Sequence, residues 1–314
     1  MIRRVAAIDC GTNSIRLLIA DIDTERTLLA DIFRQMKIVR LGEGVDRTGR
    51  LSAVALDRTM AALGEYADLV RQTGAEAVRM VATSATRDAE NAQEFTSRVK
   101  EVLGVVPEVV TGQEEAWLSF IGATRELAGV LGDDLEPPYL VTDIGGGSTE
   151  FVLGDEAGVR AGRSVNIGCV RMTERHLHGD PPPAAEVAAA TADIDAALEL
   201  VAQSVPAGEA RTLIGLAGSV TTVAGIALGL PEYDSARIHH SRVSAARVHQ
   251  IASQLLGQTR AQRAAIAVMH PGRVDVIGAG ALILDRIMTR FGFAEVLASE
   301  HDILDGIAWS LVPR

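Results

Sequence analysis

Hydrophobic and polar residues follow two recurring patterns along this chain, one typical of strands and one typical of helices. Residues 5–19, VAAIDCGTNSIRLLI, and residues 139–153, YLVTDIGGGSTEFVL, share one order: an apolar run, an acidic residue, a short polar turn and a second apolar run. This order predicts a β-hairpin in each segment. The repetition indicates duplicated halves, each of which opens with such a hairpin.

Helical and strand patterns alternate through the rest of the chain. Residues 51–74 carry apolar side chains at helical spacing and end at Gly74, a helix stop, while residues 77–86 predict a strand ending in a hydroxyl-rich turn. Further helices are predicted over 91–103, after Thr111 and across 179–205. Such alternation is typical of the α/β class.

Length and composition narrow the class of protein. The 314 residues are about twice the length of a typical domain, so we expect two packed domains. With 47% hydrophobic and 23% charged residues, the chain is neither disordered, collagen-like nor a coiled coil. A net charge of −11 and 4% aromatic residues disfavour a nucleic-acid partner, an anionic membrane partner and a base-stacking surface.

Three features bear on location. Cys10 and Cys169 lie far apart without CxxC spacing, which indicates neither a disulfide framework nor a zinc site and fits a reducing cytoplasm. The apolar run before Asp9 is too short for a signal-peptide core. Residues 213–230 are uncharged and nearly long enough to span a bilayer, but four glycines and three hydroxyl residues favour a buried strand, a glycine turn and a helix.

Charge is unevenly distributed along the second half of the chain. Residues 237–273 contain six arginines, four histidines and no acidic residue. A polyanion would be attracted to such a segment, and a solvated helical face explains it equally well.

The turn DIGGGST (143–149) has the composition of an anion-binding loop. Three glycines without Cβ atoms let successive backbone N–H groups point at one anion, and Ser148 and Thr149 add hydroxyl donors. The first hairpin carries a matching turn, DCGTNS (9–14), so two such loops across a cleft could bind adjacent phosphates. Asp143 and Glu150 flank the second loop, and carboxylate oxygens beside phosphate are ligands that Mg²⁺ prefers.

These motifs together resemble the exopolyphosphatase and guanosine pentaphosphate phosphatase (Ppx/GppA) family of the actin, Hsp70 and sugar-kinase superfamily. Besides the two hairpins, the family's other segments occur in order from one end of the chain to the other: VRLGEGVDRTGRLS, ATSATRDAEN, TGQEEAWLSFIG, NIGCVRMTERHL, GLAGSVTTVAG, RVDVIGAGALIL and SEHDILDG. The chain is similar to the short two-domain form of this family.

The resemblance implies a fold and a set of domains. It implies an α/β protein of two ribonuclease-H-like, actin-like ATPase domains with a cleft between them. The expected domains are residues 1–116 plus 299–314, carrying the first phosphate loop, and residues 117–298, carrying the second. The last segment, with Trp309 on an apolar face, is expected to pack on the first domain. A homodimer is a further expectation of the family.

The resemblance also implies catalytic roles. The family's catalytic glutamate falls in the EEA segment, where we favour Glu115 over Glu114 because adjacent helical residues diverge by about 100°. Asp143 and Glu150 are the expected Mg²⁺ ligands and catalytic carboxylates, with Glu150 sharing in activation of the water.

A set of residues is expected to bind the substrate phosphates. Arg87 matches the family's phosphate-binding arginine, and Arg171 is a weaker candidate for which an ion pair with Glu174 is an equal alternative. Arg16 is interpreted as a structural or exposed strand residue rather than a ligand. The remaining expected phosphate ligands are the loop residues Gly11, Thr12, Asn13, Ser14, Gly145, Gly146, Gly147 and Ser148.

The activity implied is Mg²⁺-dependent release of terminal orthophosphate from inorganic polyphosphate. Hydrolysis of guanosine pentaphosphate, which would link the protein to the stringent response, is the alternative within the family. Ala217 stands where relatives have glycine, and its methyl group would crowd a nucleoside, which favours polyphosphate. A sugar-kinase-like phosphotransferase and a nucleotide-dependent assembly protein are the alternatives outside the family.

Overall fold

The computed structural model describes residues 2–125, 127 and 135–312. The chain divides into two compact units, Met1–Gly132 with Asp302–Arg314, and Asp133–His301. This division falls later along the chain than the boundaries expected after residues 116 and 298. The helix Gly112–Thr124 packs against Ile303–Ser310, so both belong to the first unit.

The first unit is built on a five-stranded sheet of order β3-β2-β1-β4-β5. Its strands are β1 (Ile2–Cys10), β2 (Ser14–Asp23), β3 (Leu28–Ile38), β4 (Ala77–Ala82) and β5 (Glu108–Val109). β1, β2 and β3 pair in antiparallel fashion, whereas β4 runs parallel to both β1 and β5. The predicted first hairpin is therefore present, with its turn at residues 11–13.

The second unit repeats this plan in a sheet of order β10-β11-β9-β6-β7-β8. Its strands are β6 (Tyr139–Ile144), β7 (Thr149–Asp155), β8 (Gly158–Val165), β9 (Thr212–Leu216), β10 (Arg242–Ser244) and β11 (Glu295–Ala298). β6, β7 and β8 are antiparallel, and β9 lies parallel to β6, as β4 does to β1. The shared order confirms the predicted duplication and the α/β class.

Helices fill the connections of the first unit. They are α1 (Val45–Thr48), α2 (Ala53–Thr73), α3 (Ser84–Arg87), α4 (Ala92–Leu103) and α5 (Gly112–Thr124). α2 begins where the Ser52 hydroxyl accepts the Ala55 amide and ends at Gly74 with φ 69°, as the sequence predicted. The hydroxyl-rich turn predicted after β4 is instead the short helix α3.

Helices of the second unit follow β8 and the later strands. They are α6 (Cys169–His176), α7 (Ala184–Ala202), α8 (Ala217–Ala227), α9 (Ser235–Ile238), α10 (Ala245–Gly257), α11 (Arg260–Ala264) and α12 (Ile277–Phe291). The uncharged stretch 213–230 forms β9 and α8, as predicted. Among the described residues, no helix has the length and apolar character needed to span a bilayer.

Each unit has its own core. One face of the first sheet packs against α2 and α4 through Tyr66 and Phe95. The other face packs against the last helix, α13 (Ile303–Ser310), where Trp309 lies among Val5 and Leu18. The core of the second unit lies between its sheet and the helices that cover one side of it, and most residues of α12 are buried there.

Candidate active site

The turn of the first hairpin, residues 9–14, is called the first glycine loop, and the turn DIGGGST (143–149) the second. The first glycine loop is a tight turn stabilised by backbone hydrogen bonds. Gly11 donates its amide to the Ser14 carbonyl at 2.9 Å, and the hydroxyls of Thr12 and Ser84 lie 2.9 Å apart in a buried contact. In the described part of the chain, no hydrogen bond uses the amide N–H of Thr12 or Asn13 as donor. These amides therefore keep their donor capacity for a ligand.

The second glycine loop repeats this geometry. Gly145 donates its amide to the Ser148 carbonyl at 3.1 Å, and the Gly146 carbonyl accepts the amide of Val170 at 2.9 Å. Within residues 135–312, the amide N–H groups of Gly146, Gly147 and Ser148 are not donors in any hydrogen bond. Three successive amides without an intramolecular acceptor are what an anion-binding loop requires.

Arg171 supports the second loop. Its Nε donates to the Gly147 carbonyl at 2.7 Å, and its backbone amide donates to the Gly146 carbonyl at 3.1 Å. Gly168 packs so closely against the loop that an added Cβ would collide with the Gly146 carbonyl. The observed role of Arg171 is thus to hold the loop in place, and direct binding of phosphate by this residue stays a prediction.

Asp143 and Glu150 form a buried carboxylate pair beside the second loop. They occupy directly opposed positions of β6 and β7, so their side chains leave the same face of the sheet. Asp143 is 6% and Glu150 1% exposed, and Oε1 of Glu150 accepts the Ser164 hydroxyl at 2.7 Å. The core-facing residues Phe151 and Val165 alternate with this polar row on the opposite face.

This pair fits a magnesium ion that is held partly through water. Magnesium takes oxygen ligands and commonly keeps several waters, so one or two protein carboxylates suffice. Within the described residues, no group of three or more His, Cys, Asp or Glu side chains is arranged to hold a metal. Asp143 and Glu150 are the residues of the second unit that could hold such an ion.

The two candidate glutamates of α5 have different surroundings. The Glu114 side chain is half exposed and accepts Nη2 of Arg79 at 2.8 Å. Glu115 is 7% exposed and accepts Nη1 of Arg87 at 3.0 Å. The structure thus separates the neighbours as the helical spacing predicted, and the choice of Glu115 as the catalytic residue stays a prediction.

Arg87, at the end of α3, connects two of the predicted site elements. Its Nη1 donates to the Val110 carbonyl and to Glu115, both at 3.0 Å. Within the described residues, its Nε and Nη2 are not donors in any hydrogen bond, so part of the planar guanidinium fork remains available to phosphate oxygens. The contact with Glu115 was not predicted from the sequence.

Arg16 is a structural residue, as the sequence suggested. It lies opposite Asp9 in the β1–β2 pair, and its Nη2 is 2.6 Å from Oδ2 of Asp9. Its Nη1 donates to Asp302, the residue that begins α13. These ion pairs connect the first hairpin to the last helix within the first unit. The sequence did not predict this contact, because the two segments lie far apart along the chain.

The two thiols and the basic segment show structural roles. Cys10 and Cys169 are free and buried, and burial raises the pKa of both thiols, which argues against a reactive Cys10. Arginines of segment 237–273 pair with acidic residues outside it: Arg242 with Glu295, Arg260 with Asp275 and Arg263 with Asp180. Half of the six arginines of this segment are therefore paired with a carboxylate.

The repeated sheets, paired phosphate-type loops and buried carboxylates define an α/β phosphohydrolase of duplicated design. The sequence profile of the Ppx/GppA phosphatase family matches residues 18–314, and the chain belongs to this family. This confirms the resemblance recognised from the motifs.

Individual relatives share nearly the whole chain. It is 50% identical to Exopolyphosphatase 2 of Mycobacterium tuberculosis (strain H37Rv) over 98% of both chains. It is 28% identical to the guanosine-5'-triphosphate,3'-diphosphate pyrophosphatase of Aeromonas salmonicida over 98% of this chain and 59% of that protein.

Solved structures agree with the fold. The crystal structure of an exopolyphosphatase-like protein superposes with a TM-score of 0.94 at 42% identity, covering 98% of this chain and 97% of the other. The Aquifex aeolicus PPX-GPPA enzyme gives a TM-score of 0.81 at 32% identity, covering 99% of this chain and all of that one.

Proposed function

We propose that this protein is an exopolyphosphatase that releases terminal orthophosphate from inorganic polyphosphate in a Mg²⁺-dependent reaction. The observation that carries the proposal is the pair of glycine loops, each with successive backbone N–H groups that donate no hydrogen bond within the described residues. Such loops suit a polyanion of repeating phosphates better than a neutral substrate. The Mycobacterium tuberculosis relative, named an exopolyphosphatase, supports the same substrate.

The chemistry assigned to the residues follows from their surroundings. Glu115 accepts a proton from water, whose oxygen attacks the terminal phosphorus while the bridging P–O bond breaks, releasing orthophosphate and a chain shorter by one phosphate. Arg87 orients Glu115 through Nη1 and offers Nε and Nη2 to phosphate oxygens. The residues of each glycine loop, together with Arg171, are proposed as the further phosphate ligands of their respective units.

Asp143 and Glu150 are proposed to hold Mg²⁺. When bound, the ion neutralises negative charge on the transferring phosphoryl group. The two carboxylates are buried and lie at directly opposed positions of neighbouring strands. We also propose a cytoplasmic location, which two free thiols support, and a homodimer, which is an expectation from the family.

Guanosine pentaphosphate is the second candidate substrate, favoured by the name of the Aeromonas salmonicida relative. The same hydrolytic residues would serve, with an added site for guanosine. Ala217 takes a φ of 66°, a conformation that glycine adopts without strain, and retains a methyl group there. We take this methyl group as support for polyphosphate over a nucleoside-bearing substrate.

Orthophosphate release from defined substrates tests the proposal. The purified full chain is incubated with short polyphosphate, long polyphosphate or guanosine pentaphosphate, each with Mg²⁺ and with excess chelator. We expect Mg²⁺-dependent release from polyphosphate without any acceptor. Release from guanosine pentaphosphate alone would favour the second candidate, and phosphate transfer only when a sugar is added would indicate a phosphotransferase.

A further inference from the structure

The polar row beside the second glycine loop has a third member that the sequence motifs do not include. Ser164 lies on β8 directly opposite Glu150, just as Glu150 lies opposite Asp143 on β6. Directly opposed residues of antiparallel strands project from the same face, so Asp143, Glu150 and Ser164 form one row across three strands.

The row stands out from its surroundings. The residues just before Asp143 and after Glu150 on the same face, Val141 and Val152, are apolar and almost fully buried. A carboxylate in such a place needs hydrogen-bond donors to fix its orientation. Ser164 supplies one, because its Oγ donates to Oε1 of Glu150 at 2.7 Å.

We infer that Ser164 is a positioning residue that holds the Glu150 carboxylate in the orientation in which it binds a divalent cation. The inference rests on the proposed role of Glu150 as a Mg²⁺ ligand. By donating to Oε1, the serine hydroxyl limits rotation of the Glu150 carboxylate. Partners of this kind commonly change metal affinity by about 10- to 100-fold when removed.

A hydroxyl is well suited to this position. A lysine or arginine at residue 164 would neutralise the carboxylate and compete with the cation, whereas a hydroxyl donates one hydrogen without adding charge. Threonine keeps the hydroxyl and favours a strand, so it offers a conservative replacement, and alanine removes the donor alone.

The test compares Ser164→Ala and Ser164→Thr with the wild-type full chain. Ser204→Ala is the matched control, because that exposed serine belongs to the same unit and contacts no carboxylate in the hydrogen bonds described. The primary measurement is binding of Mn²⁺ alone to substrate-free protein, followed through the electron paramagnetic resonance signal of the free ion. The second measurement is the Mg²⁺ concentration that gives half-maximal orthophosphate release.

We expect Ser164→Ala to weaken Mn²⁺ binding about 10-fold or more and to raise the half-saturating Mg²⁺ concentration by a similar factor. Ser164→Thr should recover most of the affinity, and Ser204→Ala should match the wild type. If Ser164→Ala does not fold, Ser164→Cys replaces it, because a thiol is a poor hydrogen-bond donor. The inference then predicts weaker Mn²⁺ binding in Ser164→Cys and wild-type binding in Ser164→Thr.

Two results would overturn the inference: Mn²⁺ affinity in Ser164→Ala equal to that of the wild type, or a wild-type protein that binds no Mn²⁺. A wild type that binds Mn²⁺ in a Ser164-dependent way but releases no orthophosphate from any substrate would contradict the proposed function and leave the role of Ser164 supported.

Discussion

Asp143 lies directly opposite Glu150 across the second hairpin, in the register in which Asp9 lies opposite Arg16 across the first. The duplicated hairpins thus carry different chemistry at equivalent positions. In the first, an arginine neutralises the aspartate, with Nη2 at 2.6 Å from its Oδ2. In the second, two carboxylates face each other, an arrangement that a divalent cation would stabilise.

The first prediction concerns that carboxylate pair. Asp143→Asn and Glu150→Gln should each raise the Mg²⁺ concentration needed for half-maximal orthophosphate release by about 10-fold or more, because each removes one anionic ligand. Titration of activity with Mg²⁺ at saturating polyphosphate checks this. The control is Asp155→Asn. Asp155 lies on β7, the strand of Glu150, and its carboxylate pairs with Arg160. A Mg²⁺ requirement shifted equally in all three variants would count against the assignment.

The packing of α5 against α13 gives a second prediction. An added Cβ at Gly306 would collide with the Leu118 carbonyl, so Gly306→Ala should lower the free energy of unfolding by about 3 kcal/mol. Gly64 lies inside α2 with open space around its Cβ position. Gly64→Ala should therefore raise the free energy of unfolding by about 0.5–1 kcal/mol. Urea unfolding of both variants measures the difference, and changes of the same sign would contradict the close packing.

Backbone strain at the start of α8 gives a third prediction. Ala217 has φ 66°, a conformation that destabilises an L-residue by about 1 kcal/mol but does not strain glycine. Ala217→Gly should consequently raise the free energy of unfolding by about 0.5–1 kcal/mol. Ala188→Gly, on the exposed side of α7, should lower it by about 1 kcal/mol. Denaturation midpoints compare the two, and a loss of stability in Ala217→Gly would show that the methyl group packs favourably.

Acid stability gives a fourth prediction, centred on His240. Burial, followed by the nearby His301, lowers the pKa of His240 to about 4. The ring also stacks on His239, whose Nδ1 accepts the Glu300 amide at 3.1 Å. An unfolded histidine titrates near 6.5, so the unfolded chain takes up the proton first as the pH falls.

The stability that neutral His240 contributes is therefore complete above about pH 6.5 and is lost progressively until about pH 4. Because the ring is only half-buried, we expect the loss to be about 1 kcal/mol. Unfolding free energies at pH 7 and pH 4.5 should differ less in His240→Asn, since asparagine tolerates the φ of 62° and does not titrate. If His240→Asn shows the same difference between the two pH values as the wild type, His240 does not contribute to the loss of stability in acid.

The sequence predicted the elements that depend on local patterns. Both hairpins follow from apolar runs around polar turns, and α2 follows from helical spacing between Ser52 and Gly74. The prediction of a turn after β4 was wrong, because this segment forms α3, a single helical turn that is too short to show hydrophobic periodicity. Motif resemblance supplied the candidate site residues.

Contacts that depend on tertiary structure could not be predicted in this way. Ser164 meets Glu150 only because β8 pairs with β7 in one register, and a shift by one residue would turn it to the other face. The contact between Arg87 and Glu115 similarly joins two helices, α3 and α5, whose packing no local pattern reveals. The two contacts orient the carboxylates of Glu150 and Glu115, which the motifs had already identified as candidate site residues.

We propose that a water activated by Glu115 hydrolyses polyphosphate, and the neighbouring Glu114 on α5 provides a matched control. Glu115 is buried against Arg87, whereas Glu114 is half exposed and pairs with Arg79. The decisive measurement is the initial rate of orthophosphate release from polyphosphate by the wild type, Glu115→Gln and Glu114→Gln at saturating Mg²⁺. We predict a loss of about 10²- to 10⁴-fold in Glu115→Gln and near wild-type activity in Glu114→Gln. Equal activity in the two variants, or the larger loss in Glu114→Gln, would contradict the catalytic role of Glu115.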